Sequence, residues 1–482
     1  VSNQMALAKA GCVQWVITWL SGTIDGSTKG GFNADAQCEA ASALLSMATN
    51  NEPIQAQIHR TNGIPPLIDL MSKGSLATQA YAAKTLWHLA SSVDSATAIA
   101  TAGGMQPLCA MLSSEDVHAQ ELAAVVTSRL LKATSTVSLT VAEVGGIVPL
   151  VRLLRDGSPA GQQQAAYAIA EVSLTPQNRD LVADAGGIDA LVALLTSSVV
   201  GTPETAARAI SYLARDAYDT PDDGGAPPDA INDNDNPQAQ QEAKAAMGDK
   251  PGAARRHLIH KAGGVKRLIG MLQSVSLSGT ITARKMWELV SKVIGPTHDE
   301  EAKKEAAGKK DAKDDEGLVK KSAAEAKDVI WSLQEQAAAT ISDLAYGDED
   351  MQDAMIETGS VPPLLLLTRN GSVTAQEHSA RAIWHLCAAT DNQGLIVDCG
   401  AITELVALSK VGSARAQELA AAVISDLAKG AIIEREQIMK KKEREKAENA
   451  KNSGEPAPAK EAAEADGAVQ TAQEAAVADA EA

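Results

Sequence analysis

The sequence predicts an all-α solenoid of about nine helical repeats, each 41–42 residues long. Three observations carry this. The stretch TQAYAAKTLWHLASS (78–92) returns as AQEHSARAIWHLCAAT (375–390), with Trp87 and Trp384 set 297 residues apart. A glycine followed by a short apolar helix recurs as GIPPLIDLM (63–71), GGMQPLCAML (103–112), GGIVPLVRLL (145–154) and GGIDALVALL (186–195). Of 482 residues 45% are hydrophobic but only 2% aromatic, with Phe32 the single phenylalanine. Ala and Leu therefore supply the apolar bulk, which favours closely packed helices over strands.

The register follows from two marks. The first apolar residues of the openers are Val13, Ile64, Met105, Ile147, Ile188, Val265, Val361 and Ile402. Nine longer helices of pattern Q-x-x-A-A-x-x-φ-x-x-φ stand against these eight openers, with first small residues at Ala40, Ala82, Ala123, Ala165, Ala206, Ala283, Ala337, Ser379 and Ala420. The offset from opener to small residue is 18 in seven of eight pairs, so Ala337 predicts a ninth opener at Val319, in GLVKKSAAEA (317–326). Glycine ends the preceding helix cheaply in a left-handed conformation. The prolines of GIPPLI and SVPPLL are tolerated in a first helical turn. Ala82, Leu86 and Leu89 fall on one helix face, which a single unit cannot bury but a stack can.

Steps longer than the repeat become insertions, and the chain divides accordingly. Residues 1–216 are repeats 1–5, with an insertion near 22–36; 217–252 is an acidic insertion expected to be disordered; 253–295 is repeat 6. Residues 296–316 are a charged low-complexity insertion, 317–430 are repeats 7–9 with repeat 7 degenerate, and 431–482 are a charged helix and disordered tail.

The net charge is −18. About −6 of it lies in 217–252, about −3 in 296–316 and about −4 in 431–482. An acidic chain lacks the cationic footprint that nucleic acid needs, so no nucleic-acid partner is expected. The five cysteines have no C-x-x-C spacing and read as buried free thiols of a reducing, cytoplasmic compartment, with access to the nucleus left open. No apolar run is long enough for a transmembrane helix. The chain opens on Val1 rather than Met, which leaves room for an upstream segment or a lipid anchor. The DNDN cluster before Pro237 fails as a calcium loop, and no catalytic constellation, metal-ligand spacing or cofactor motif occurs. The chain reads as a non-enzyme with no cofactor.

The G-G-I-x-x-L-V-x-L-L opener and the Q-x-x-A-A-x-A-L-x-x-L-A helix resemble the armadillo repeat. The resemblance covers roughly residues 1–430 apart from the insertions, and is closest to armadillo-only scaffold proteins of the vacuolar-scaffold and plant armadillo type. It implies a right-handed α-superhelix whose third helices line a concave groove for partner proteins or extended peptides. It also implies two alternatives. One is the substrate-recognition array of a U-box ubiquitin ligase, although no U-box lies in this sequence. The other is a nuclear-import adaptor of the importin-α kind.

Counting from the glutamine of each third helix, core residues sit at +3, +7 and +10. Positions +5 and +9 point away from them and are expected to face the groove. At +5 stand Lys84, Tyr167, Arg208, Lys285 and Arg381; at +9 stand His88, Arg129, Glu171, Tyr212, Asp343, His385 and Asp426. No +5 is Trp and no +9 is Asn, which disfavours the import-adaptor alternative, since that subfamily repeats both. The cations suit a peptide with acidic residues, with Asp343 and Asp426 as acidic points near the C-terminal end. Trp87 and Trp384, at +8, are expected to pack at the edge between repeats. Trp15 and Trp19 lie on the first opener.

Overall fold

A computed structural model gives the structure of residues 2–21, 34–134, 136–216, 251–273 and 312–453. Every element among these residues is an α-helix. They fall into two units, Val1–Val423 and Ile424–Ala482. The first is an all-helical solenoid, as the sequence predicts.

Each full repeat has three helices. The first repeat is α1 (Ser2–Lys9), α2 (Cys12–Leu20) and α3 (Ala34–Ala48). Then come α4 (Glu52–Arg60), α5 (Ile64–Lys73) and α6 (Leu76–Leu89), followed by α7 (Val93–Thr101), α8 (Met105–Leu112) and α9 (Val117–Ala133). The fourth repeat is α10 (Thr136–Glu143), α11 (Ile147–Asp156) and α12 (Pro159–Ser173), and the fifth is α13 (Pro176–Asp184), α14 (Gly187–Leu194) and α15 (Thr202–Ala214). After it come α16 (Pro251–Lys261), α17 (Gly264–Gln273) and α18 (Ala312–Ala345). The last two are α19 (Glu349–Glu357), α20 (Val361–Asn370) and α21 (Val373–Leu386), then α22 (Thr390–Asp398), α23 (Ala401–Val411) and α24 (Ala414–Ser453).

The paired glycines of the openers do two different jobs. Gly145 has φ 73°, a left-handed turn between α10 and α11. A Cβ on the next residue, Gly146, would lie 2.8 Å from Cys109 Sγ and 3.1 Å from the Val141 carbonyl, so that position is glycine for lack of space. In the second repeat Asn62 takes the left-handed place, at φ 58°, as asparagine can.

The signature glutamine caps helix ends. Gln120 Nε2 donates to the Ser114 carbonyl at 2.5 Å and Gln417 Nε2 to the Gly412 carbonyl at 3.1 Å, closing the turn after each second helix. The serine opening a third helix accepts from its own first turn and donates to a glutamate of the preceding third helix: Ser158 to Glu121, Ser372 to Glu335, and Ser413 to Glu377 at 2.6 Å. First helices in turn cap the preceding third helix. Gln55 Nε2 reaches the Ala48 carbonyl at 2.8 Å and Gln352 Nε2 the Ala345 carbonyl at 2.8 Å. The +3, +7 and +10 positions are core: Ala82, Leu86 and Leu89 are buried, as are Ala165, Ile169 and Val172.

The repeat register departs from the sequence reading at one place. Val319 does not start a short opener, because 312–345 is one helix, α18. Around Ala337 that helix lies directly on α15: Thr340 Oγ1 donates to the Ala207 carbonyl at 3.0 Å. It also closes α17, through Gln334 Nε2 to the Leu272 carbonyl at 3.2 Å. The third helix assigned to repeat 7 therefore completes the repeat that α16 and α17 begin. Eight third helices are present among the described residues. The physical reason is in the sequence: GLVKKSAAEA has no residue that stops a helix after its glycine, and its run of Ala, Lys and Glu favours helix throughout. The third helix expected at Ala283, with Lys285, and the insertions at 217–250 and 296–311 lie outside the described residues.

At this irregular repeat arginines replace the usual amide caps. Arg256, 1% exposed, donates Nη1 to the Ala214 carbonyl at 2.9 Å. It pairs with Asp348 at 2.8 Å and Asp216 at 3.5 Å. Arg255 bonds the Leu213 carbonyl at 2.6 Å and pairs with Asp180. Gly252 N–H donates to Asp216 Oδ1 at 2.9 Å, so residues 216 and 252 meet and the stack continues past the segment between them.

The second unit holds the rest of α24, from Ile424 to Ser453. Ile432 and Met439 are exposed on it, and Asp426 pairs with Lys429 at 3.2 Å.

Candidate functional site: the third-helix face

The +5 and +9 side chains of the first unit are mostly half-buried, lying between the buried core positions and open solvent. Neighbouring third helices stand about 8–10 Å apart, close enough for long side chains to meet across repeats. They do so in three groups.

The first group surrounds Trp87. The guanidinium carbon of Arg129, from α9, lies 4.3 Å from the centre of the Trp87 ring on α6. His88 packs edge-on to Trp87 and faces Thr49 Oγ1 at 3.4 Å. Burial, and then the charge of Arg129, holds the His88 imidazole below its ordinary pKa. Arg129, Trp87 and His88, with Asn51, Gln55 and Ser91, line a cavity of about 660 Å³. Trp87, which the sequence reading places at the edge between repeats, meets Arg129 of the next repeat and forms a wall of this cavity. Lys84, on the same helix, is half-buried and makes no ion pair with a described residue.

The second group joins α12, α15 and α18. Arg208 lies over the Tyr167 ring, 5.2 Å from its centre. The Tyr167 phenol is raised above its usual pKa by burial and then by the Glu171 carboxylate it bonds. Tyr212, raised chiefly by burial, carries Arg215 at 5.1 Å from its ring. Arg215 pairs with Asp343 at 3.1 Å, and Ser211 donates to the same carboxylate. Asp343 is therefore a neutralised joint between α15 and α18, not the open acidic point the sequence suggested. Its partner Arg215, twelve residues past the helix signature, carries no repeat mark and was not legible.

The third group is on α21. Arg381 Nε donates to Ser342 Oγ at 3.1 Å, and its Nη2 meets His378. His385 Nδ1 lies 2.8 Å from the Ser342 carbonyl. Desolvation pushes the His385 pKa down to about 4. Trp384 and Tyr346 flank that ring at 6.0 and 5.2 Å. Of the remaining expected residues, Lys285 lies outside the described residues and Asp426 belongs to the second unit.

Nothing in these groups resembles catalytic machinery. Among the described residues there is no cluster of three metal-ligating side chains. Cys109 is buried and its thiol is pushed up to about 11; Cys399 is exposed, against the expectation that all five thiols are buried. No single described helix is long and apolar enough to cross a membrane.

The arrangement can hold an extended chain against a row of stacked cations. Comparison with known proteins fits a repeat stack. The Armadillo/beta-catenin-like repeat model matches residues 50–91, 175–215 and 348–388. Among solved structures, the chain is similar to an engineered protein at 23% identity and TM-score 0.54, covering 89% of this chain and 91% of that one. It is also similar to a designed armadillo repeat protein, at 18% identity and TM-score 0.46, covering 67% and 99%. A third is a designed armadillo repeat protein in complex with the peptide (KR)4, at 17% identity and TM-score 0.44, covering 67% and 99%. No curated protein matches the chain.

Proposed function

We propose that this chain of armadillo repeats is a non-enzymatic scaffold of the cytoplasm, binding extended, acid-bearing segments of partner proteins along its third helices. One observation carries the reading. The guanidinium carbons of Arg129 and Arg208 each lie over an aromatic ring of the preceding repeat, 4.3 and 5.2 Å from its centre. Each keeps a buried Nε without a hydrogen-bond partner, and neither is ion-paired to a described residue. The ring contact holds each cation in place while no carboxylate neutralises it, and a guanidinium is the side chain best suited to recognising such a group. The two lie two repeats apart, about 20 Å at usual helix spacing. About six residues of extended peptide span that distance. The local cations stand out because the whole chain is at −18, so the preference belongs to the face and not to the overall field. Five cysteines, none of them in a disulfide, suit a reducing compartment.

The test is a binding titration of a partner peptide against Lys84→Glu with Arg381→Glu. The double variant should keep its helical circular dichroism and lose affinity more than tenfold. Unchanged affinity would remove Lys84 and Arg381 from the binding face, and unchanged affinity in Arg129→Gln with Arg208→Gln as well would remove the third-helix face from consideration.

A further inference from the structure

We infer that the cavity between the first three repeats seats one oxyanion of the bound peptide, a carboxylate or a phosphoryl group, with Arg129 as its anchor and Trp87 as its wall. This rests on the reading of the third-helix face and adds a specific subsite to it.

Hydrogen-bond accounting supports the assignment. The cavity lining is mixed, and the polar side chains Asn51, Gln55 and Ser91 are already committed inside the fold. Asn51 Nδ2 donates to Gln4 Oε1 at 3.1 Å, and Asn51 Oδ1 accepts from Ile54 N–H at 3.4 Å. Gln55 Nε2 donates to the Ala48 carbonyl at 2.8 Å, and its oxygen accepts from Ser91 at 3.1 Å. These bonds make the floor rigid and leave its amides little to offer a ligand. Arg129 is different. It is half-buried, stacked on Trp87, and bonded to no carboxylate among the described residues, with Nε buried and unpartnered. An unpaired, partly desolvated guanidinium costs free energy that an incoming oxyanion returns.

A second feature points the same way. The cavity lies at the N-terminus of α4, capped by Asn51. That end of the helix carries partial positive charge and favours an anion. Glu52, on the exposed rim, is the one carboxylate in the lining. It opposes the effect from the solvent side, where screening is strongest. The volume of about 660 Å³ exceeds one side chain, so flanking peptide backbone fits beside the anion. His88 reports on occupancy. Burial lowers its pKa first and the Arg129 charge second, so an anion beside Arg129 relieves the second cause and should raise that pKa.

The test uses the full chain and three peptides, Ac-(Ala-Glu)4-NH2, Ac-(Ala-phosphoSer)4-NH2 and Ac-(Ala-Gln)4-NH2, followed by Trp fluorescence and by the His88 ring resonance against pH. The expected result is binding of an anionic peptide, an upward move of the His88 pKa, and a ten- to hundredfold loss of affinity in Arg129→Gln, the range for a charge-assisted bond. A stronger effect with the glutamate peptide assigns a carboxylate; a stronger effect with the phosphoserine peptide assigns a phosphoryl group. Arg129→Lys, which keeps the charge but not the stacked plane, should retain only part of the affinity. If the anionic peptides bind, weaken in Arg208→Gln, and leave both His88 and the Arg129→Gln affinity unmoved, the subsite is overturned while the third-helix reading stands. If neither anionic peptide binds better than the glutamine peptide, both fall. If Arg129→Gln does not fold, Arg129→Lys read together with the wild-type His88 titration carries the test.

Discussion

Replacing Arg256 should unfasten the solenoid at its irregular repeat. The side chain is 1% exposed and joins three pieces of chain: the end of α15 through the Ala214 carbonyl, Asp216, and Asp348 at the start of α19. Asp216 and Asp348 are themselves only 13% and 14% exposed. Arg256→Met keeps most of the volume but leaves two poorly solvated carboxylates and one bare carbonyl. Removing one partner of a buried ion pair costs about 3–5 kcal/mol, so a loss near 3 kcal/mol is expected after allowing for residual solvent at the aspartates. In a stack with nearest-neighbour coupling the loss should be local. Urea unfolding followed by hydrogen exchange should show early release of the amides of α19 and α20, with those of α5–α12 little changed. Adding Asp348→Asn should cost less than the sum of the two single changes, since both break one network. A loss under about 1 kcal/mol, or one spread evenly along the chain, would refute this account of the joint.

Two further outcomes follow from the same geometry. Gly146→Ala should destabilise by about 1–3 kcal/mol, because its Cβ would press on Cys109 Sγ and the Val141 carbonyl; Gly145→Ala meets no atom within 4 Å and should cost only the about 1 kcal/mol of a left-handed alanine, and thermal melts of the two compare them. His385 has a folded pKa near 4 against an ordinary 6.5, so the unfolded chain binds the extra proton first. Its contribution to stability is complete above about 6.5 and is lost as pH falls toward about 4. His385→Gln should flatten that part of the stability profile, measured by urea midpoints at stepped pH.

The period of 41–42 residues made the fold legible, because each helix must repeat its small and apolar positions to bury them against its neighbours. The half-buried face was legible for the same reason: +5 and +9 follow from helix geometry alone. Counting failed at Val319, where a spacing of 18 to Ala337 coincided with a continuous helix. Spacing alone cannot separate two helices from one when no stop signal intervenes. The Arg256 clamp was hidden because its partners, Ala214, Asp216 and Asp348, are brought together only by folding. The stacking of Arg129 on Trp87 was hidden in a similar way. It pairs +9 of one helix with +8 of the preceding one, an offset set by the rotation between repeats and not by the repeat itself.

The central claim is that the third-helix face selects acidic segments although the whole chain is acidic. The most direct measurement is fluorescence anisotropy of two labelled extended peptides of equal length, one glutamate-rich and one lysine-rich, titrated with the full chain at physiological salt. The account predicts that the glutamate-rich peptide binds the more tightly, and that Arg129→Gln with Arg208→Gln removes the difference. Tighter binding of the lysine-rich peptide would contradict it, and would assign recognition to the net charge of −18 and not to the stacked arginines.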